Sequence, residues 1–136
     1  MQYRSTRGES PAVSFSEALL AGLAPDGGLY VPTEWPQFAP GDFTAGASLA
    51  AAARTLIAPF TAGDMLAAAL DEITAEAFNF PAPLVPVGQA DYSVLELFHG
   101  PTAAFKDFGA RFLAASLARL RPAGARPLEI LVATSG

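Results

Sequence analysis

The sequence predicts an α/β protein with a small, mainly helical amino-terminal domain at residues 1–80 and the beginning of a parallel α/β domain at residues 81–136. Three observations predict this fold class. Helix-capping residues and helical periodicity dominate the first part. The second part has the order strand, helix, strand, which is the order of a βαβ unit. With 51% hydrophobic and 15% charged residues, a chain of 136 residues can bury a core.

The amino-terminal part is predicted to open with a strand at residues 2–6 and a helix at residues 15–23. Ser14 and Glu17 have the spacing of a capping box, in which each side chain bonds a backbone amide of the other residue. Pro25-Asp26-Gly27-Gly28 is a strong turn signal and should lead into an extended segment.

Two further helices are expected in this part, at residues 46–57 and 62–78. Pro59 ends the first, and Thr61 opens the second. The second helix has apolar residues at helical spacing, which predict a face packed on the core. These residues are Leu66, Leu70, Ile73 and Ala77.

The second part is predicted to hold strands at residues 84–87 and 92–98, a helix at residues 103–120, and a strand at residues 128–133. Thr102 is placed as the N-cap of the helix. The last strand is almost continuously apolar, which is typical of a strand buried on both faces of a parallel sheet. The sequence then stops within a loop that would lead into another helix. We therefore interpret it as a fragment of a longer protein.

Composition excludes several classes of function. There is no cysteine, which removes disulfides and thiolate chemistry, and a single histidine, His99, cannot build a histidine-rich metal site, so we expect no metal. A net charge of −5 argues against nucleic-acid binding. The arginines at 111, 119, 121 and 126 are interpreted as a solvated helix face. No apolar run is long enough for a membrane span, and no secretory signal is visible, so a cytoplasmic protein is expected.

Lys106 is the single lysine of the chain. With Thr102 as N-cap, Lys106 would lie near the positive end of the helix, where a cation is disfavoured. Its neighbours on the helix surface are small or apolar, namely Gly109, Ala110 and Leu113. A tight or apolar position and the helix end both favour the neutral amine, which forms Schiff bases with carbonyl groups. Position alone nevertheless favours an ordinary solvated lysine, as most lysines are.

A phosphate-binding loop is disfavoured, although Gly100 and Lys106 have the spacing of its first glycine and its lysine. Phe105 occupies the place of the second glycine, and Asp107 that of the magnesium-binding hydroxyl. A carboxylate at that position would repel a nucleotide.

The strongest resemblance to a known family lies in HGPTAAFKDFGARF, residues 99–112. This stretch resembles the lysine segment of the threonine synthases, which are pyridoxal-phosphate (PLP) enzymes of the tryptophan-synthase β-subunit fold type. Two more stretches resemble the amino-terminal segment of the family's longer branch: SFSEALLAGLAPDGGLYVP, residues 14–32, and STRG, residues 5–8. ATSG, residues 133–136, resembles the start of the family's ATSGDTG loop.

The resemblance implies that Lys106 binds pyridoxal 5'-phosphate covalently and carries protons during the reaction. It implies conversion of O-phospho-L-homoserine and water to L-threonine and phosphate. Thr134, Ser135 and Gly136 would begin the loop that binds the substrate carboxylate. Residues 81–136 would begin the PLP-binding domain. The groups that hold the cofactor phosphate lie beyond Gly136 in the family, so residues 1–136 alone should be inactive.

Two alternatives stay open at this point. The chain could belong to another PLP-dependent lyase of the same fold type, acting on a different amino acid. It could also be a non-catalytic interaction domain derived from the family. We assign His99 no role in proton transfer. The sequence does not indicate which oligomeric state the protein adopts.

Overall fold

The computed structural model of the chain describes residues 1–88, 91–121 and 124. Within these ranges the chain forms four α-helices and two antiparallel two-stranded sheets. The helices are α1 (Phe15–Ala21), α2 (Leu49–Ile57), α3 (Leu70–Ala77) and α4 (Lys106–Leu120). The strands are β1 (Tyr3–Ser5), β2 (Tyr30–Pro32), β3 (Leu84–Pro86) and β4 (Ser93–Leu95). Short 3₁₀ segments lie at Pro40–Asp42, Ala58–Thr61 and Met65–Ala69.

The predicted capping box at the start of α1 is confirmed. The Ser14 amide donates to Glu17 Oε2 at 2.8 Å, and the Glu17 amide donates to Ser14 Oγ at 3.2 Å. The helix ends at Ala21 and is capped by Gly22, whose φ of +70° is readily adopted only by glycine.

The turn at residues 25–28 is also confirmed, and Asp26 organises it. Its carboxylate accepts hydrogen bonds from the Ser5 hydroxyl at 2.7 Å, the Gly28 amide at 2.9 Å and the Glu9 amide at 3.1 Å. The bond from Ser5 contributes most to holding the pKa of Asp26 down, at about 2. This carboxylate therefore joins the turn to β1, which pairs with β2 directly after the turn.

The prediction of one helix over residues 62–78 is wrong in its first half. Gly63 adopts φ +76°, and the Asp64 carboxylate accepts from the Leu66 amide at 2.9 Å, so a new start follows Asp64 rather than Thr61. A 3₁₀ segment then precedes α3. Partial burial opposes ionisation of Asp64, yet hydrogen bonds from Ser16 and Leu66 hold its pKa below the usual value. The predicted core face is confirmed, since Leu66, Leu70, Ile73 and Ala77 are all buried.

Helix α4 packs on the amino-terminal helices through Phe112. This ring contacts two buried clusters, one around Ala77 and Phe78 and the other around Leu66 and Ile73. Its centroid lies 6.2 Å from that of Phe78, with the rings nearly parallel. The single ring joins the two clusters, so the helix that begins with Lys106 is part of the same core.

Two arginines of α4 also contact α3, which corrects the interpretation of them as a solvated face. Arg111 donates to the carbonyl oxygens of Glu76 and Ala77, at 2.7 and 2.9 Å, at the end of α3. Arg119 forms an ion pair with Glu76 at 2.9 Å. These bonds fix the orientation of α4 against α3.

The strands of the second part form an antiparallel hairpin, with Leu84 opposite Leu95 and Pro86 opposite Ser93. The strand predicted at residues 92–98 is therefore limited to Ser93–Leu95. Most large apolar side chains of this hairpin are exposed. The strand predicted at residues 128–133, and with it the parallel pairing of the βαβ unit, lies outside the described residues.

Candidate functional site

Lys106 is the first residue of α4, three residues later than the predicted helix start. The prediction of Thr102 as N-cap is wrong, because Phe105 takes that position with helical backbone angles and no side-chain capping bond. The other predicted site residues, Thr134, Ser135 and Gly136, lie outside the described residues. The structure therefore describes one of the four predicted site residues together with the loop that precedes it.

That loop is fastened to α4 by Asp107. The buried carboxylate, whose residue is 5% exposed, accepts hydrogen bonds from the Thr102 amide at 2.9 Å and the Thr102 hydroxyl at 2.8 Å. The arrangement reverses the usual cap, in which a residue before the helix accepts bonds from amides inside it. Here the second residue of the helix accepts bonds from the loop five residues earlier.

Gly100 packs directly against this carboxylate. A Cβ atom added at Gly100 would lie 2.8 Å from the Asp107 Cβ and closer still to Oδ2, which no real side chain tolerates. The Gly100 carbonyl accepts from the Ala103 amide at 3.0 Å, closing a turn over the start of the helix. The absence of a side chain at residue 100 thus lets the turn lie on Asp107.

Ala103 adopts φ +54°, in the left-handed region that residues with a Cβ rarely occupy. Such backbone conformations cost roughly 1–3 kcal/mol and persist where the surrounding contacts determine them. The strained residue lies between Thr102 and Lys106, so the loop is held in one particular shape immediately before the lysine.

The Lys106 side chain itself is exposed, and the expectation of a tight or apolar position is wrong for the described residues. Gly109 and Ala110, expected to crowd it, are also exposed, as is Phe105. The ammonium group lies at the positive end of a 15-residue helix and remains accessible to a ligand.

His99 forms a close pair with a residue that sequence reasoning missed. Its Nε2 atom lies 2.6 Å from Glu96 Oε2, and its ring lies on Phe98 with 4.6 Å between centroids. Glu96 and His99 are three residues apart, a spacing that brings side chains together on a helix. Because this segment is not helical, the spacing did not predict the pair.

An apolar cleft of about 580 Å³ lies between α2 and the first half of α4. Its lining includes Trp35, Leu56, Phe60, Phe108 and Phe112, with neither Lys106 nor His99. Since its walls are apolar throughout, the cleft offers no groups for acid–base chemistry. The sequence pattern did not reveal it, because these side chains come from segments far apart in the chain.

The described part of the chain has neither a metal-binding cluster nor a membrane-spanning helix. No group of three or more acidic or histidine side chains converges there in a way that could hold a metal ion. Among the same residues, no helix has the length and apolar character needed to cross a bilayer.

Comparison with known families gives a match to the family model described as the threonine synthase N terminus, over residues 2–78. This match covers more than half of the chain. The chain belongs to the threonine synthase N-terminus family. The resemblance indicated by residues 5–8 and 14–32 is thereby confirmed.

Members of the threonine synthase family resemble this chain beyond the region of the family model. The threonine synthase of Pseudomonas aeruginosa is 40% identical over 142 aligned positions, which cover 100% of this chain and 30% of that protein. A crystal structure of PLP-bound threonine synthase from Brucella melitensis matches with a TM-score of 0.79 and 46% identity, over 88% of this chain and 27% of that one. The Escherichia coli threonine synthase structure also gives a TM-score of 0.79, with 34% identity and coverage of 88% and 28%. The chain therefore spans about 30% of the length of these relatives.

Proposed function

We propose that this chain is the amino-terminal part of a PLP-dependent threonine synthase, with Lys106 as the covalent attachment point of the cofactor. The observation that carries the proposal is the placement of the single lysine of the chain at the first residue of α4, after a loop fixed by Asp107. Membership of the threonine synthase N-terminus family supports it, as does the PLP-bound relative from Brucella melitensis.

The residues around Lys106 fit a cofactor that carries an aldehyde. The amine is exposed and can reach a ligand carbonyl, and the positive end of α4 favours an anionic partner. Gly100 keeps the preceding turn free of a side chain. When bound, PLP supplies an electron sink for carbanions of the substrate. Lys106 holds the cofactor and moves a proton at its Nζ atom.

The proposed reaction converts O-phospho-L-homoserine and water to L-threonine and phosphate. Residues 1–80 would form the amino-terminal domain, and residues 81–136 would begin the PLP-binding domain and its parallel sheet. Thr134, Ser135 and Gly136 would begin the loop that binds the substrate carboxylate, using hydroxyl and backbone donors. The resemblance of residues 133–136 to the family loop supports this role.

We further propose that residues 1–136 alone do not catalyse the reaction. The chain spans about 30% of its relatives, and the resemblance assigns the groups that hold the cofactor phosphate to later parts of the family sequence. A lysine without those groups should bind PLP weakly and should not orient a substrate.

The direct test is phosphate release from O-phospho-L-homoserine by the full polypeptide that the source gene encodes. The wild type should release phosphate and form threonine, whereas Lys106→Ala and Lys106→Arg should both be inactive. The arginine variant retains the positive charge, so its inactivity would separate covalent chemistry from electrostatics. Full activity of Lys106→Arg would refute the proposed role.

Parallel assays separate the alternatives. Turnover of another phosphorylated or hydroxylated amino acid, without turnover of O-phospho-L-homoserine, would indicate a different lyase of the same fold type. Inactivity on every such substrate, together with failure to bind PLP, would indicate the non-catalytic interaction domain.

A further inference from the structure

We propose that Asp107 is the positioning residue for Lys106: it holds the turn at residues 100–102 against α4 and thereby sets where the lysine amine points. The inference rests on the proposed function, because Lys106 needs a defined position only if it reacts. Asp107 itself is not expected to contact the substrate or the reacting atoms.

The Asp107 carboxylate is buried and bonded to the preceding loop. Asp107 is 5% exposed, yet none of the ion pairs among the described residues involves it. A buried carboxylate without a cationic partner must be stabilised by hydrogen bonds. Among the described residues, Thr102 donates both side-chain bonds to it, through its amide and its hydroxyl. The carboxylate therefore forms its hydrogen bonds with the loop rather than with α4 or with solvent.

Two backbone features of the loop depend on these two hydrogen bonds. Gly100 lies against the carboxylate so closely that a Cβ would not fit, and Ala103 stays in the left-handed region. A strained residue relaxes unless its neighbours prevent it. Thr102 on one side is bonded to Asp107, and on the other side the helix begins at Lys106. Loss of the carboxylate should let residues 100–105 relax, and the first helical residue should move with them.

Contacts with α3 already fix the rest of α4. Arg111 and Phe112 hold α4 on α3 about one and a half turns after Lys106. The lysine itself is exposed, so packing does not orient it. Within the first turn, Phe108 also packs on Phe78 and Phe80. The part of α4 whose position depends on the loop is therefore its first two residues, Lys106 and Asp107.

The test measures how fast Lys106 captures PLP in the full polypeptide, by borohydride trapping at timed intervals and mass spectrometry of the peptide that contains Lys106. Asp107→Ala should slow capture by roughly 10- to 100-fold, the effect of moving a reacting group by about 1 Å. Asp107→Asn and Thr102→Val should each give an intermediate loss, since each removes part of the bonding. Thr102→Ser keeps the hydroxyl and should therefore capture PLP at close to the wild-type rate. Asp91→Asn, at an exposed loop residue, is the matched control and should leave capture unchanged.

A double-mutant comparison separates positioning from general stability or direct contact. Reversible PLP binding is measured in Lys106→Ala and in the same variant carrying Asp107→Asn. If Asp107 acts through Lys106, the two affinities should agree within about twofold. An equal loss of PLP affinity with and without Lys106 would overturn the inference, as would unchanged capture in both Asp107→Asn and Thr102→Val. Failure of the wild type to capture PLP at Lys106 would instead refute the proposed function, and the inference with it.

Discussion

Replacement of Arg111 by alanine tests whether α4 is anchored at the end of α3. The guanidinium donates to the carbonyl oxygens of Glu76 and Ala77 and to Asn79 Oδ1, at 2.7 to 2.9 Å. Each bond to a carbonyl contributes about 0.5–1.5 kcal/mol net, and a cation at a helix C-terminus about 0.3–1 kcal/mol. The partly exposed bond to Asn79 adds little. Arg111→Ala should therefore lower the free energy of unfolding by about 2–3 kcal/mol.

The assay is urea unfolding of the 136-residue chain, followed by far-UV circular dichroism and by the fluorescence of Trp35, its single tryptophan. Arg54→Ala is the matched control, because Arg54 also pairs with α3, through Asp71, but the two side chains are 55% and 73% exposed. An exposed pair contributes about 0–1 kcal/mol, so this variant should barely change stability. Arg111→Lys keeps the positive charge but lacks the several N–H donors of the guanidinium. It should lower the free energy of unfolding by about half as much as Arg111→Ala does. Equal midpoints for Arg111→Ala and Arg54→Ala would refute the anchoring of α4 by Arg111.

Three further predictions concern packing and charge. Gly100→Ala should destabilise the turn by about 1–3 kcal/mol and slow PLP capture by the full polypeptide, because the added methyl group would overlap Asp107. A wild-type capture rate and a wild-type urea midpoint would contradict the close packing. Ile73→Ala should lower the free energy of unfolding in urea by about 2–5 kcal/mol, because Ile73 is fully buried. Leu20→Ala, at an exposed apolar residue, should lower it little, and similar losses for the two variants would argue against the assigned core. The pKa of Asp26 is lowered from 3.8 to about 2, so its stabilising contribution should be complete above pH 3.8 and lost as pH falls through 2. The acid-unfolding curve of Asp26→Asn should accordingly be flatter than that of the wild type in this range, and parallel curves would exclude the contribution.

Local signals in the sequence predicted the amino-terminal part well. The capping box of Ser14 and Glu17 and the turn at residues 25–28 depend on residues within a few positions of one another, so their spacing is visible in the sequence. The core face of α3 and the segment before it was predicted because its apolar residues recur at helical spacing. The prediction of one continuous helix was wrong there, because Gly63 and Asp64 interrupt the helix. The interruption does not change which side chains are buried.

The loop before Lys106 was not predictable in the same way. Thr102 has the residue type of an N-cap, but Asp107 bonds its hydroxyl and amide in the opposite direction, which capping rules do not describe. The positive φ of Ala103 has no sequence signal, because the residue is neither glycine nor asparagine. Arg111 was misjudged as solvated because its partners at the end of α3 lie more than thirty residues earlier in the chain.

The site of PLP attachment in the full polypeptide shows whether Lys106 is the lysine that binds the cofactor. The protein is incubated with PLP, reduced with borohydride and digested, and the modified peptide is identified by mass spectrometry. Before reduction, the wild type should show visible absorbance that is absent in Lys106→Arg. After reduction, one adduct is expected, on Lys106. Stoichiometric attachment at another lysine, with Lys106 unmodified, would contradict the role of Lys106 as the cofactor lysine.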